Sequence, residues 1–427
     1  MGDDMGVGLR IGADVSHKPW LENDFDRIEF LCRLRDAIAA HSRQKQTDLL
    51  LQQFIAGAEL LCCPHPAAED VTFSYDDDRL ICSAKTSTVG PGYHAYLVEM
   101  LEDIGRRCDL PWEWSDEGEG FGDDAGYHGD RSFDRIQDEM CWWLRAVANS
   151  VLDDSRSARH LISMRSNFGL AHADYFAASA TGFWDRDFFE KAARRQPDTL
   201  HGLAARFFPW WSKNLDARFW RNAALVLMWE RLTWSPPEND AQRAVYELTL
   251  TCLSKARQLD PFTPLPEAEA AEIRALLSKE QAFPIPEQGR IGFRRLDMRR
   301  DLAGDWSVVT PGYFYKKNEN DTVIYWYGDR FVHGSSLSFT PDIPNSWEPG
   351  DRAGGALGVF TLDEDGRRGS AVLCTEEESE QQRYLLFCKV HAPGSLCLLS
   401  IYFRDINDLD WARLVFESAC PDAGRDC

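Results

Sequence analysis

Phe283-Pro284-Ile285-Pro286-Glu287-Gln288-Gly289 is the stretch at which the chain changes its period. Neither proline donates a backbone N–H or continues a helix, and the residue before each is driven toward extended backbone. Ahead of this stretch apolar residues recur every three or four positions; beyond it they recur every second one. A helical body followed by a sheet is therefore expected, with the boundary at this segment. Working outward toward the C-terminus, strands are expected over Trp306 to Tyr315, Thr322 to Tyr327, Phe331 to Phe339, Ala356 to Leu362, Ser370 to Thr375, Tyr384 to His391 and Leu396 to Phe403. Gly328-Asp329 and Pro393-Gly394 carry hairpin-turn chemistry. A closing helix follows, with Ile406, Leu409, Leu414, Val415 and Ala419 on one face and Trp411 to seat it on the sheet.

Working outward toward the N-terminus, Phe219, Ala223, Leu227 and Met228 mark a helix ended by Ser235-Pro236-Pro237, and Val245, Leu248, Cys252, Ala256 and Leu259 mark the next, stopped at Asp260-Pro261. That pair resembles the end of a tetratricopeptide unit, but it occurs once and a solenoid needs about three copies, so it reads as an αα-hairpin inside a bundle. The dense aromatics Phe207-Phe208-Pro209-Trp210-Trp211, Trp229 and Trp234 read as core. Farther back, Phe25, Ile28, Leu31, Leu34 and Ile38 predict one helix and Leu50, Phe54, Ala58 and Leu61 a second. Strands are expected at Val71 to Tyr75 and Leu80 to Ser87 around Asp76-Asp77-Asp78. Helices carrying Tyr93 to Ile104 and Phe133 to Val147 follow, on either side of a Gly- and Asp-rich loop over 115–130. The fold class is α+β, in three segments: an N-terminal α+β region at 1–160, a helical region at 161–283, and an antiparallel-sheet sandwich with a closing helix at 284–427.

The last third resembles the PsbP-like α/β sandwich, a fold shared with a nuclear import factor and with bacterial immunity and secretion accessory proteins. The resemblance rests on Trp306-Ser307-Val308-Val309 followed by Pro311-Gly312-Tyr313, on the paired strands Tyr384 to Val390 and Leu396 to Phe403, and on the helix ending Phe416-Glu417-Ser418. It implies protein binding, and no catalytic motif.

The chain has 427 residues, with 47 basic side chains against 69 acidic and a net charge of −22. Such a balance argues against a phosphate-backbone binder, which needs clustered Lys and Arg, and favours a basic partner. No apolar run approaches the roughly 18 residues of a membrane span, and the first residues lack a secretory or myristoylation pattern, so neither membrane nor export is expected. Most of the 12 cysteines fall in apolar periodic segments, as free thiols do when they pack as small hydrophobes, which points to a reducing, cytoplasmic setting.

Among candidate sites, the acidic stretch with interleaved aromatics is the expected partner-binding surface: Trp112, Glu113, Trp114, Asp116, Glu117, Glu119, Asp123 and Asp124. Crowded carboxylates gain when a cationic surface meets them, and aromatics between them serve as anchors. A second acidic run, Glu376-Glu377-Glu378 with Glu380, reads as an exposed turn. The expected function is therefore a cytoplasmic protein that occludes a basic partner such as a toxin, as an immunity or secretion accessory protein does. The alternative is an enzyme acting on a phosphorylated or nucleotide-like substrate at Lys85-Thr86-Ser87-Thr88-Val89-Gly90-Pro91-Gly92-Tyr93-His94. There a helix start would face an anion, and Thr86, Tyr93 and His94 would supply acid–base chemistry. This is not a Walker sequence, because the lysine precedes the glycines. Cys62-Cys63-Pro64-His65 lacks zinc spacing and has no second cluster, and Gly334-Ser335-Ser336-Leu337-Ser338 sits within a strand rather than at a nucleophile elbow. No metal, cofactor, nucleic acid or membrane is expected.

Overall fold

The computed structural model describes residues 6–16, 24–114, 122–153, 160–164, 169–171, 175–195, 197–278, 291–319, 322–338, 356–364, 366–378 and 381–421. The period-changing segment at 283–289 lies outside these. The fold is α+β, and the chain divides into two compact units. The first takes 1–167, 175–232 and 236–282; the second takes 168–174, 233–235 and 283–427. The three expected segments are thus distributed over two units.

In the first unit, strands β1 (Gly8–Asp14), β2 (Gln52–Ala56), β3 (Glu59–Cys63), β4 (Val71–Asp76), β5 (Arg79–Lys85) and β6 (Gly122–Asp123) form an antiparallel sheet in the order β2-β3-β4-β5-β1-β6. Its register aligns Leu60, Phe73, Cys82 and Ile11 across four strands, all four fully buried. Helix α1 (Asp24–Gln44) buries Phe30, Leu31, Leu34 and Ile38 and touches β2, β3 and α2 (Pro91–Cys108). The helix expected through Leu50 to Leu61 is instead the β2–β3 hairpin. Gly57, at φ +57, makes the turn, and strand alternation turns Phe54 outward while Leu60 goes in. The apolar spacing there matched a helix by coincidence.

Helices α3 (Tyr127–Asp130) and α4 (Phe133–Asp153) follow, the latter burying Ile136, Met140, Leu144, Val147 and Val151 at helical spacing. The next strands are β7 (His160–Ile162), β8 (Gly169–Leu170), β9 (Ala177–Ser179) and β10 (Gly182–Trp184), of which β8 belongs to the second unit. Then come α5 (Arg186–Arg194), α6 (Pro197–Phe207), α7 (Ala217–Val226), α8 (Asp240–Leu259) and α9 (Glu267–Ser278). Side-chain oxygens of Asp185, Asp216 and Asn239 cap α5, α7 and α8 by accepting from the N–H three residues on. The helix expected through Met228 widens after Val226 into a π-helical turn, Leu227–Arg231, before the prolines. No helix among the described residues is long and apolar enough to cross a membrane.

In the second unit, β11 (Asp297–Asp301) and β12 (Trp306–Pro311) join β8 and the short β20 (Cys420–Pro421) in a four-stranded sheet, order β20-β12-β11-β8. A seven-stranded antiparallel sheet runs β13 (Tyr315–Glu319), β14 (Thr322–Tyr327), β15 (Arg330–Ser338), β19 (Ser395–Phe403), β18 (Gln381–Ala392), β17 (Arg367–Glu378), β16 (Gly358–Glu364). The single strand expected over Trp306 to Tyr315 is therefore two, and Gly312 carries the chain from one sheet to the other. A Cβ there would sit 2.6 Å from the carbonyl oxygens of Arg294 and Leu296. Glu376, Glu377 and Glu378 are strand residues paired with Arg383, Gln382 and Gln381, not a turn; Glu380 lies outside the described residues.

Trp306, Val308, Tyr325, Leu386, Leu399 and Phe403 fill the core with Val415 and Phe416 of helix α10 (Leu409–Glu417). Leu414 and Ile406, expected on the packed face, are exposed. The C-terminal end of α10 is held by two arginines: Arg367 donates to the carbonyls of Glu417 and Ala419, and Arg299 to that of Ser418. Cations suit the negative end of a helix.

Candidate functional site

The β5–α2 turn brings the expected hydroxyl, phenol and imidazole together, but inside the fold. Gly90 adopts φ +116 and Pro91 starts the helix, where its missing N–H costs nothing. The N–H of Gly92 donates to the carbonyl of Trp211 at 2.8 Å, and the N–H of Trp211 donates to the carbonyl of Val89 at 2.8 Å. A Cβ on Gly92 would fall 2.0 Å from the Ser212 carbonyl oxygen, so only glycine admits this backbone-to-backbone approach. The helix start that was expected to face an anion therefore faces a peptide carbonyl. Trp211 completes the seal against Tyr93, Tyr96 and Phe219.

His94 lies behind that seal. Its Nε2–H donates to Asp123 Oδ1 at 2.7 Å, and its Nδ1 is 2.9 Å from Thr86 Oγ1, which is itself 3.0 Å from the carbonyl oxygen of Val7. The carboxylate of Asp123 also accepts the N–H groups of Ala125, Gly126 and His128. Burial works against ionisation of Asp123, but the hydrogen bond and charge of His94 and the backbone donors outweigh it and hold its pKa below the ordinary value. Hydroxyl, imidazole and carboxylate stand in the order of a catalytic triad. Yet Thr86, Tyr93 and His94 are each 0 % exposed, so no substrate atom reaches them in this conformation. What the line does is tie β5, α2 and β6 together. The phenol of Tyr93 finds no hydrogen-bond partner among the described residues, and burial raises its pKa well above the ordinary value.

The acidic stretch separates into inward and outward residues. Asp123 is withdrawn from any surface by His94, and that corrects its place in the expected partner-binding set. Trp112 is a wedge: its Nε1–H donates to the carbonyl of Leu101 at 2.8 Å and its ring meets Phe73. Glu113 is exposed, with its backbone bridged to Gly12 and its carboxylate paired with Arg79. Trp114 stacks flat on His128, centroids 4.0 Å apart, while His128 and Arg131 share Glu102. Asp124 is exposed and accepts the Gly8 N–H. Asp116, Glu117 and Glu119 lie outside the described residues.

Sequence reasoning missed a neighbouring group. Because Gly12 faces Glu113 and Asp14 faces Arg79, the exposed Asp14, Asp76, Asp77 and Asp78 gather with Glu113 at one end of the six-stranded sheet. The Asp76-Asp77-Asp78 run was readable only as a turn; its proximity to Glu113 is a consequence of strand order.

Cys62, Cys63 and His65 are buried; Cys63 Sγ donates to the His65 carbonyl, and the ring of His65, held down to a pKa of about 3 by burial, accepts from the Ala67 N–H. Among the described residues no three His, Cys, Asp or Glu side chains gather as a metal site. Compared with protein-family models and with curated proteins, the chain matches none.

Proposed function

We propose that this chain is a cytoplasmic protein-binding protein whose acidic surface meets a basic partner, as a bacterial immunity or secretion accessory protein occludes a toxin. The observation that carries this reading is the exposed carboxylate end of the first sheet, Asp14, Asp76, Asp77, Asp78 and Glu113, in a chain of net charge −22. Among the described residues Arg79 pairs with Glu113, and Arg27 donates to the Asp77 carbonyl. Trp114 lies one residue beyond Glu113 and gives the surface an aromatic anchor. The resemblance of the last third to PsbP-like sandwiches points to protein binding too, and the sealed turn at Thr86 to His94 leaves the catalytic alternative without an accessible group.

The reading is tested with the product of the neighbouring reading frame, mixed with the full chain at about 50 mM and about 500 mM salt. Exposed charges separated by more than about 8 Å are screened at physiological ionic strength. Co-purification that weakens with salt, and weakens about tenfold more in Asp77→Lys/Asp78→Lys, is the expected result. Binding indifferent to both salt and the double reversal overturns it.

A further inference from the structure

One face of the seven-stranded sheet lies in the core; the other carries a row of rings and, beyond it, a row of charges. Strand register places Leu385, Tyr402, Phe331, Trp326 and Tyr315 side by side across five strands. One residue past the Tyr384–Phe403 pair, on either strand, come Arg383 and Arg404; Glu376 pairs with Arg383 in the ladder, and Asp329 sits in the β14–β15 turn. Phe331, Arg383 and Arg404, with Gly328 and Asp329, line a cavity of about 310 Å³. Arg383 lies over the Tyr402 ring at 4.2 Å and pairs with Glu376 at 3.2 Å; Arg404 is exposed, without an ion pair among the described residues.

Like charges gathered in one cavity repel, so the two guanidiniums favour an anion laid across them. A carboxylate fits such a fork with parallel N–H···O bonds. Asp329 in the cavity wall and Glu376 paired with Arg383 disfavour a dianion, and the overall charge of −22 disfavours a polyanion, so a phosphate chain is the poorer match. Along β15 and β19 the sheet ends at this position, with the β14–β15 turn at Gly328–Asp329 and β19 ending at Phe403, while β17 and β18 run on to the Glu378–Gln381 pair. A chain lying along β15 and β19 reaches the arginines with its end.

We propose that this cavity captures the C-terminal carboxylate of an extended peptide, with the peptide's last, apolar side chain against Phe331 and Tyr402. The probe is fluorescein-labelled Ser-Leu-Val-Phe with a free carboxylate, titrated with the full-length protein and followed by anisotropy. Saturable binding is expected, weakened about tenfold or more by amidating the peptide and by Arg404→Gln. Arg404 is exposed, so the variant keeps its melting temperature, and Arg33→Gln on α1 leaves binding unchanged. The proposal is overturned by no saturation up to millimolar protein, by equal binding of the amide, or by a loss in Arg33→Gln equal to that in Arg404→Gln. Equal binding of an amidated peptide carrying an internal glutamate, or Arg404-dependent binding of labelled oligothymidylate, overturns it as well.

Discussion

His94 has no neighbour in the sequence that announces its partner. Asp123 is 29 residues away, beside Asp124, and the two carboxylates part company because one is turned to the imidazole while the other stays in solvent. Composition put both in one acidic surface; only β6 pairing with β1 decides which way each points. The tie predicts that His94→Ala leaves a buried carboxylate with backbone donors but no cation-capable partner. Loss of one member of such a pair costs about 3–5 kcal/mol, to be read as a lower urea midpoint. His94→Gln, which keeps one N–H in reach, is expected to recover part of that loss. An unchanged midpoint for His94→Ala would show that the pair is not a strut.

At the scale of elements, the strands that alternate cleanly were legible. Val71 to Tyr75, Leu80 to Ser87, Thr322 to Tyr327, Tyr384 to His391 and Leu396 to Phe403 fall close to where their period places them. The β2–β3 hairpin was not, since Leu50, Phe54, Ala58 and Leu61 satisfy a helical spacing that the positive φ of Gly57 overrides. Nor was the π-helical turn, which leaves no mark in apolar periodicity. The second unit's dependence on distant segments was equally hidden. Trp234 is buried, with the Arg295 guanidinium 3.4 Å over its ring, and Gly292 is bare at φ +128 because a Cβ would meet that ring at 2.2 Å. Trp234→Ala is therefore expected to cost about 3–5 kcal/mol, by loss of burial and of the stacked cation. Thermal melts should show the loss in the second unit's transition; a melt identical to that of the parent chain would contradict this seat for the ring.

For the whole molecule, pH is the natural lever, because burial holds two histidines of the first unit neutral. His65 is held down to about 3, and His41 is lowered by burial in spite of Asp103 3.2 Å away. Unfolded histidines take up protons near the ordinary 6.5, so below that value the unfolded chain binds more protons than the folded one and stability falls as pH falls. His65 contributes a slope of about 1.4 kcal/mol per pH unit from 6.5 down to its folded value, and above 6.5 its contribution is constant. Asp123 adds loss in the same direction only below 3.8. Urea midpoints are expected to drop between about pH 7 and about pH 5, and His65→Gln, which retains an acceptor for the Ala67 N–H, should flatten that drop. A parent chain with the same midpoint at both pH values would refute the neutral state of these rings.

The polypeptide crosses between its two units five times, at 167/168, 174/175, 232/233, 235/236 and 282/283. During synthesis β8 and Trp234 leave the ribosome well before the strands and the aromatic stack they complete, and β12 gains its last neighbour only when Cys420 emerges. β8 must wait unpaired while more than a hundred residues are added, and Trp234 for about sixty, so the nascent chain should be most vulnerable to chaperone capture in that interval. Because the visits alternate, genetic recombination cannot lift either unit out with one pair of breakpoints, and the two are inherited as a single piece.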